Sequence, residues 1–277
     1  PNVSGTSTSI TFSPTLAPAT GTIVATHATA TGDASGTLSI STGVASQIKV
    51  LTGTSGSTAD VATVNLSTGG SDTFHASRFD SDNNYIDDVS VDWAVSGGIG
   101  NLSVTTGVTV DFTATTPGTG VVTGSHASLG DDATGTITVS ASGLAYVRIV
   151  EGPSGDGPEF DTRSLTTDEV LTLHAAGYDG NDNYLGDQSV DWSSTGTLGT
   201  SVSATVNSLT FNPSVVPATG TIVADHATAT DDVTGTISVS VGQPLRIKVM
   251  SGASGNTTEV ATSGLTTGGS LTVHASS

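Results

Sequence analysis

Apolar and polar residues alternate one by one through short stretches of this chain. In Gly135–Ser140 (GTITVS), Ile137 and Val139 alternate with Thr136 and Thr138; in LTLHA, Leu171, Leu173 and Ala175 share one face while Thr172 and His174 take the other. A period of two marks a strand with one buried and one wet face. β-Branched Thr and Val favour the pleated sheet, and Gly, Asp, Asn and Ser punctuate the runs at roughly 8 to 12 residues. No stretch carries a helical stripe. The pattern predicts an all-β chain.

The strands recur in register. QIKVL at Gln47 returns as YVRIV at Tyr146 and RIKVM at Arg246, and GTLSIS at Gly36 returns as GTITVS at Gly135 and GTISVS at Gly235. ITF ending at Phe12 returns as VDF at Phe112 and LTF at Phe211. The six histidines form two sets of three, His27, His126 and His226, and His75, His174 and His274, so the period is about 100 residues. Two whole repeats follow, 44–143 and 144–242, preceded by the rear part of one (1–43) and followed by the front part of another (243–277). About seven strands in such a length, with a Trp in the third, predict a tandem of immunoglobulin-like sandwiches in an end-to-end rod. Trp93 and Trp192 are expected to fill the two cores, and the linkers Ser142-Gly143 and Val241-Gly242-Gln243-Pro244 are short enough to limit bending.

The run from Phe79-Asp80 to Val91-Asp92-Trp93, then Gly98-Ile99-Gly100, Phe112, Thr119-Gly120 and Gly135-Thr136-Ile137-Thr138-Val139, resembles the bacterial Ig-like repeats found in tandem in surface adhesins and other giant cell-surface proteins. The resemblance covers essentially the whole chain and implies an extracellular, rod-like, non-catalytic array. It names no ligand. The acidic turn departs from the Asp-x-x-Gly-Asn form of that family, reading Asp80-Ser-Asp-Asn-Asn84 and Asp179-Gly-Asn-Asp-Asn183.

Charge and composition narrow the function classes. Six Lys and Arg stand against 25 Asp and Glu, a formal charge of -19, which repels nucleic acid and anionic membrane surfaces. No run approaches the 18 apolar residues of a membrane span, and Pro1 in place of Met reads as a processed product or an excerpt. With no cysteine there is neither a disulfide staple nor a thiolate site. No hydrolase elbow, zinc-protease pair, phosphate loop or dinucleotide fingerprint is present, and exposed paired acids lack the apolar wall that raises a catalytic pKa. A non-enzyme is expected. Asn-x-Ser/Thr occurs at Asn2, Asn65, Asn101 and Asn256, where glycan attachment is one option.

The acidic turns carry the sharpest candidate chemistry. Asp80, Asp82, Asn84 and Asp88, and again Asp179, Asn181, Asn183 and Asp187, place oxygen ligands at alternate positions of a tight loop, which suits Ca²⁺. Tyr at the sixth position and Val at the twelfth exclude an EF-hand. The plain alternative is that Asp and Asn close their own turns by bonding the backbone. Strand order puts Asp33, Asp131-Asp132 and Asp231-Asp232 at the same pole, where a cation could stiffen a junction. His75, His174 and His274 alternate with core positions and are expected to face solvent, as structural residues and not ligands.

These readings converge on a structural extracellular protein, a surface fibre or adhesin stalk whose end segments are continued by a longer chain or by self-association with a neighbouring subunit along a filament. The rival reading is an adhesin module binding a glycan or receptor.

Overall fold

The computed structural model describes residues 6–152, 157–199, 205–243, 246–254, 258–260, 264–265, 267 and 269–276. Asn2, Asn256 and linker residue Pro244 lie outside them. Among the described residues every regular element is a strand. The first are β1 (Ala19–Gly21), β2 (Val24–Ala25), β3 (Asp33–Ala34) and β4 (Leu38–Ile40), paired β1 with β4 and β2 with β3. The first whole repeat holds β5 (Gln47–Thr52), β6 (Val64–Ser67), β7 (Ser71–Phe79), β8 (Tyr85–Asp88), β9 (Val91–Val95), β10 (Gly100–Leu102), β11 (Thr106–Gly107), β12 (Thr109–Ala114), β13 (Gly118–Gly120), β14 (Val122–His126), β15 (Gly130–Ala133) and β16 (Ile137–Ser140). One sheet runs β10-β12-β7-β5 with β8 on β7, a second β11-β9-β14-β15, and a third β13-β16-β6.

The second repeat follows the same scheme with β17 (Leu144–Glu151), β18 (Arg163–Thr166), β19 (Leu171–Asp179), β20 (Tyr184–Asp187), β21 (Val190–Ser194), β22 (Thr205–Val206), β23 (Ser208–Phe211), β24 (Ala218–Gly220), β25 (Ile222–Asp225), β26 (Asp232–Val233) and β27 (Ile237–Ser240). Its sheets are β17-β19-β20 with β23 on β19, β22-β21-β25-β26, and β18-β27-β24; β28 (Lys248–Ser251) then pairs with β29 (Val273–Ser276). The chain is thus all-β, a tandem of immunoglobulin-like sandwiches.

Alternation along the strands builds one core per repeat. Phe74, Ala76 and Phe112 from one sheet and Val91, Trp93 and Val122 from the other join a single buried cluster. Val147, Leu173 and Phe211 meet Val190, Trp192 and Ile222 in the equivalent cluster of the second repeat. Each indole nitrogen keeps a partner as its ring is buried: Trp93 Nε1 donates to Gly107 O at 2.9 Å and Trp192 Nε1 to Val206 O at 3.0 Å. The repeated Thr-Gly pair has a steric cause. A Cβ on Gly120 would lie 2.3 Å from Ser96 O, and one on Gly220 2.1 Å from Thr195 O.

The second and last strands of each sandwich pair in parallel. β6 lies beside β16 from Val64 opposite Ile137 to Ser67 opposite Ser140, and β18 beside β27 from Arg163 opposite Ile237 to Thr166 opposite Ser240. Contacts divide the chain into two compact units, Pro1–Leu144 with Tyr178–Leu185, and Ala145–Gly177 with Gly186–Ser277. The end segments 1–43 and 243–277 therefore group with the adjoining whole repeats. The acidic turn of the second repeat folds as part of the first unit.

Replacing Trp93 by Ala is expected to destabilise the first sandwich by about 3–5 kcal/mol, seen as an earlier urea transition by circular dichroism. A loss below about 1 kcal/mol would contradict a ring that closes the core.

Candidate functional site

The two acidic turns share one geometry. Asp80 Oδ1 accepts the backbone N–H groups of Asp82 at 3.0 Å and Asn84 at 2.9 Å, and Asp179 Oδ1 accepts those of Asn181 at 2.9 Å and Asn183 at 3.0 Å. The fourth residue of each turn takes the left-handed conformation, Asn83 and Asp182 both at φ 63°. This is where the related Asp-x-x-Gly-Asn form carries Gly, and Asn and Asp are the side-chain-bearing residues that tolerate it best.

Each turn then grips other parts of the first unit. Asp80 Oδ2 accepts Gly43 N at 2.9 Å, while Asn84 donates from Nδ2 to Thr15 O at 3.1 Å and accepts Ala17 N on Oδ1 at 2.9 Å. Asp179 Oδ2 accepts the Thr68 hydroxyl at 2.7 Å and Ser142 N at 3.2 Å, and Asn183 Nδ2 donates to Thr115 O at 2.9 Å. Thr15 and Thr115 are the same position of the repeat, as are Gly43 and Ser142. The Asn amide also bridges both oxygens of its own Asp, at 3.0 and 3.1 Å in each turn.

This bonding decides what the carboxylates can do. Two carboxylate oxygens offer about four lone-pair sites, and Asp80 already receives five N–H contacts. Ca²⁺ needs six to eight oxygens with lone pairs to give, so the turn as folded does not fit that ion. Nor does either set of four residues proposed from sequence gather as a shell. Asp82 and Asn181 are exposed. Asp88 turns to Ser77 Oγ at 2.7 Å, Tyr85 Oη at 3.0 Å and Gly56 N, and Asp187 to His174 Nδ1 at 3.1 Å. Among the described residues no three His, Asp or Glu side chains converge as a metal site would require.

Protonation follows from the same contacts. Asp80 is held down at about 2 by the N–H groups of Asn84 and Gly43, with the Asn84 side chain adding to them. Burial pushes Asp179 upward, but the donors Thr68, Asn183 and Asn181 outweigh it and leave the group well below the ordinary carboxylate range. Asp88 is treated alike, burial opposing the bonds from Ser77, Gly56 and Tyr85, which prevail.

The structure corrects the histidine expectation. His75 is 0 % exposed. It does point away from the sandwich core, but the loop after β5 folds over it, with Gly53 O 3.1 Å from Nδ1 and Gly56 O 2.8 Å from Nε2. His174 is half-buried against Asp187. The other set caps turns: Nδ1 of His27 accepts Thr29 N and Ala30 N, and Nδ1 of His226 accepts Thr228 N and Ala229 N.

Asp132 and Asp232, read from sequence as loop charges, bond edge strands instead. Asp132 Oδ2 accepts Val50 N at 2.7 Å and Asp232 Oδ2 accepts Ile149 N at 2.6 Å, each blocking the outer edge of its sheet with a charge. Thr68 also escaped notice as a partner of Asp179. Its recurrence as Thr167, with Ser142 recurring as Gly242, was the available signal.

No family model matches the chain, and no curated protein matches it. Among solved structures it is similar to the Escherichia coli adhesin FdeC (14% identity, 76% of this chain and 70% of that one, TM-score 0.34). Extracellular domains 3–5 of Drosophila OTK give 12% identity over 74% of this chain and 67% of that one, TM-score 0.37. Domains 4–9 of the surface layer protein SbsC give 17% identity over 84% and 36%, TM-score 0.28. Likenesses at this level carry no argument about function, and the fold rests on the strand pairings above.

Because Asp80 and Asp179 titrate lower in the folded chain than in the unfolded one, the stability they confer is complete above about pH 4 and is lost as the pH falls through about 2 for Asp80 and lower still for Asp179. Acid titration followed by circular dichroism is expected to show a loss of structure in that window, moved to higher pH by Asp179→Asn. Thermal midpoints measured with EDTA and with millimolar Ca²⁺ are expected to coincide; a rise with Ca²⁺ would show that the turns open to bind it.

Proposed function

We propose that this chain is a force-bearing structural segment of an extracellular surface fibre or adhesin stalk. The observation that carries the reading is the parallel pairing of the second and last strands in both repeats. β6, which follows β5 near the start of the sandwich, runs the same way as the last strand β16, so a pull on the chain before β6 and after β16 draws the two strands past each other. Tension then shears the rungs between those strands together, including Val64 N to Thr136 O at 3.0 Å and Thr68 N to Ser140 O at 2.9 Å. β18 and β27 repeat the arrangement with Arg163 N to Thr236 O at 3.1 Å and Thr167 N to Ser240 O at 3.2 Å. Rungs loaded in parallel resist more than rungs peeled one by one.

Other features support the same role. In the two repeats Asp80, Asp132, Asp179 and Asp232 accept backbone N–H groups of the fold, and among the described residues neither repeat acquires an aromatic platform that the other lacks. A high negative charge keeps a surface fibre soluble and apart from its neighbours. Resemblance to the Ig-like repeats of surface adhesins points to the same extracellular setting, and no catalytic motif argues against a purely structural part. The division into parts 1–43, 44–143, 144–242 and 243–277 is retained as the repeat plan of the array.

Single-molecule pulling on the whole chain is expected to show two separate force peaks, each releasing roughly 30 nm for a hundred-residue repeat. Val64→Pro removes one rung and is expected to lower the peak of the first sandwich alone, with Arg163→Pro doing the same for the second. Smooth extension without peaks would defeat the stalk reading, and saturable binding of the intact chain on a glycan array would favour the adhesin module.

A further inference from the structure

The second sandwich carries, at the same positions, the groups that receive the Asp179 turn in the first unit. Gly242 N donates to Thr167 Oγ1 at 3.1 Å, as Ser142 N does to Thr68 Oγ1 at 2.8 Å. Thr167 N is held on Ser240 O at 3.2 Å, as Thr68 N is on Ser140 O at 2.9 Å. Ser214 stands where Thr115 presents its carbonyl to Asn183, and Val216 precedes Pro217 as Ala17, the residue that bonds Asn84, precedes Pro18. Thr68, roofed by the turn, is 6% exposed, whereas Thr167 is half-buried and Val215 and Val216 are 41% and 36% exposed.

We infer that Thr167, Ser214 and Gly242 form a docking socket for one more acidic turn, supplied by a further repeat of this kind. The turns at Asp80 and Asp179 are both engaged within the first unit, so neither is at liberty to fill it. A Thr hydroxyl that accepts Gly242 N keeps its hydrogen to donate outward to an incoming carboxylate, as Thr68 does to Asp179. This inference stands on the socket geometry and does not require the stalk reading.

One substitution within the socket gives it a preference. In the first unit the residue after Thr68 is Gly69, and Asn181 Nδ2 lies 3.5 Å from where its Cβ would be. In the second sandwich that residue is Asp168, whose Oδ2 accepts Gln243 N at 2.8 Å and lies against Gly242, 2.0 Å from an added Cβ. An incoming turn with Asn at its third position, as at Asn181, meets the Asp168 carboxylate with a donor. A turn with Asp there, as at Asp82, meets it with like charge. The socket therefore selects the Asp-x-Asn-x-Asn form.

The test lengthens the full chain beyond Ser277 with a copy of residues 178–242 and follows amide hydrogen exchange at Gly242. Exchange is expected to slow roughly tenfold or more relative to the same extension with its first turn Asp changed to Ala. Changing the third turn residue from Asn to Asp is expected to remove most of that protection, and Asp168→Gly to restore it. Such coupling between two charges is a response that a general loss of fold does not produce. Slower exchange in the unlengthened chain at rising concentration would show that a turn already engaged at Asp80 or Asp179 is released to a second copy, and would overturn the further repeat as the occupant. Gly242 exchange that ignores both the extension and the concentration overturns the socket, and leaves the force peaks of the stalk reading untouched.

Discussion

A carboxylate withdrawn from water must find a hydrogen-bond donor for each lone pair, or burial forces it to protonate. Asp80 and Asp179 meet that condition in the same way. Each first closes its own turn on two backbone N–H groups, takes the amide of an Asn four residues on, and spends its second oxygen on a distant segment. The charge is thereby tied to the positions of 15, 17 and 43 in one case and 68, 115 and 142 in the other. A hydrophobic contact could tolerate sliding by an ångström; a saturated carboxylate cannot without losing donors it has no means to replace.

Such bonding suits a chain poor in aromatics and without disulfides. Each sandwich core is modest, built around one Trp and two Phe rings. Directional polar contacts take over where apolar area runs short. Asp132 and Asp232 apply the same chemistry at a sheet edge, giving an outward N–H a partner and placing a charge where another strand would otherwise add. Parallel pairing of β6 with β16 and of β18 with β27 adds a mechanical consequence, since those rungs share load instead of failing in sequence.

Much of this architecture was legible beforehand. Alternation in GTITVS and LTLHA located strands β16 and β19, and the Trp in each repeat marked its core, because period and burial are local properties of a strand. The acidic turns were also found, but their chemistry was not. Oxygen at alternate positions reads equally as a cation shell or as an acceptor of backbone donors, and only the partners distinguish the two. His75 misled for a related reason: alternation shows which face of the sheet a side chain takes, and cannot show that the loop at 53–56 folds over that face.

The amino-acid sequence by itself determined the all-β class, the hundred-residue repeat and the Trp at the centre of each core, since each follows from side-chain patterning along the chain. Only the tertiary structure decided that the turn at 178–185 folds with the first unit, that Thr68 and Ser142 complete Asp179, and that β6 runs parallel to β16. Those contacts join residues 37 to 111 positions apart. Their geometry depends on how whole strands pack, which no local pattern encodes.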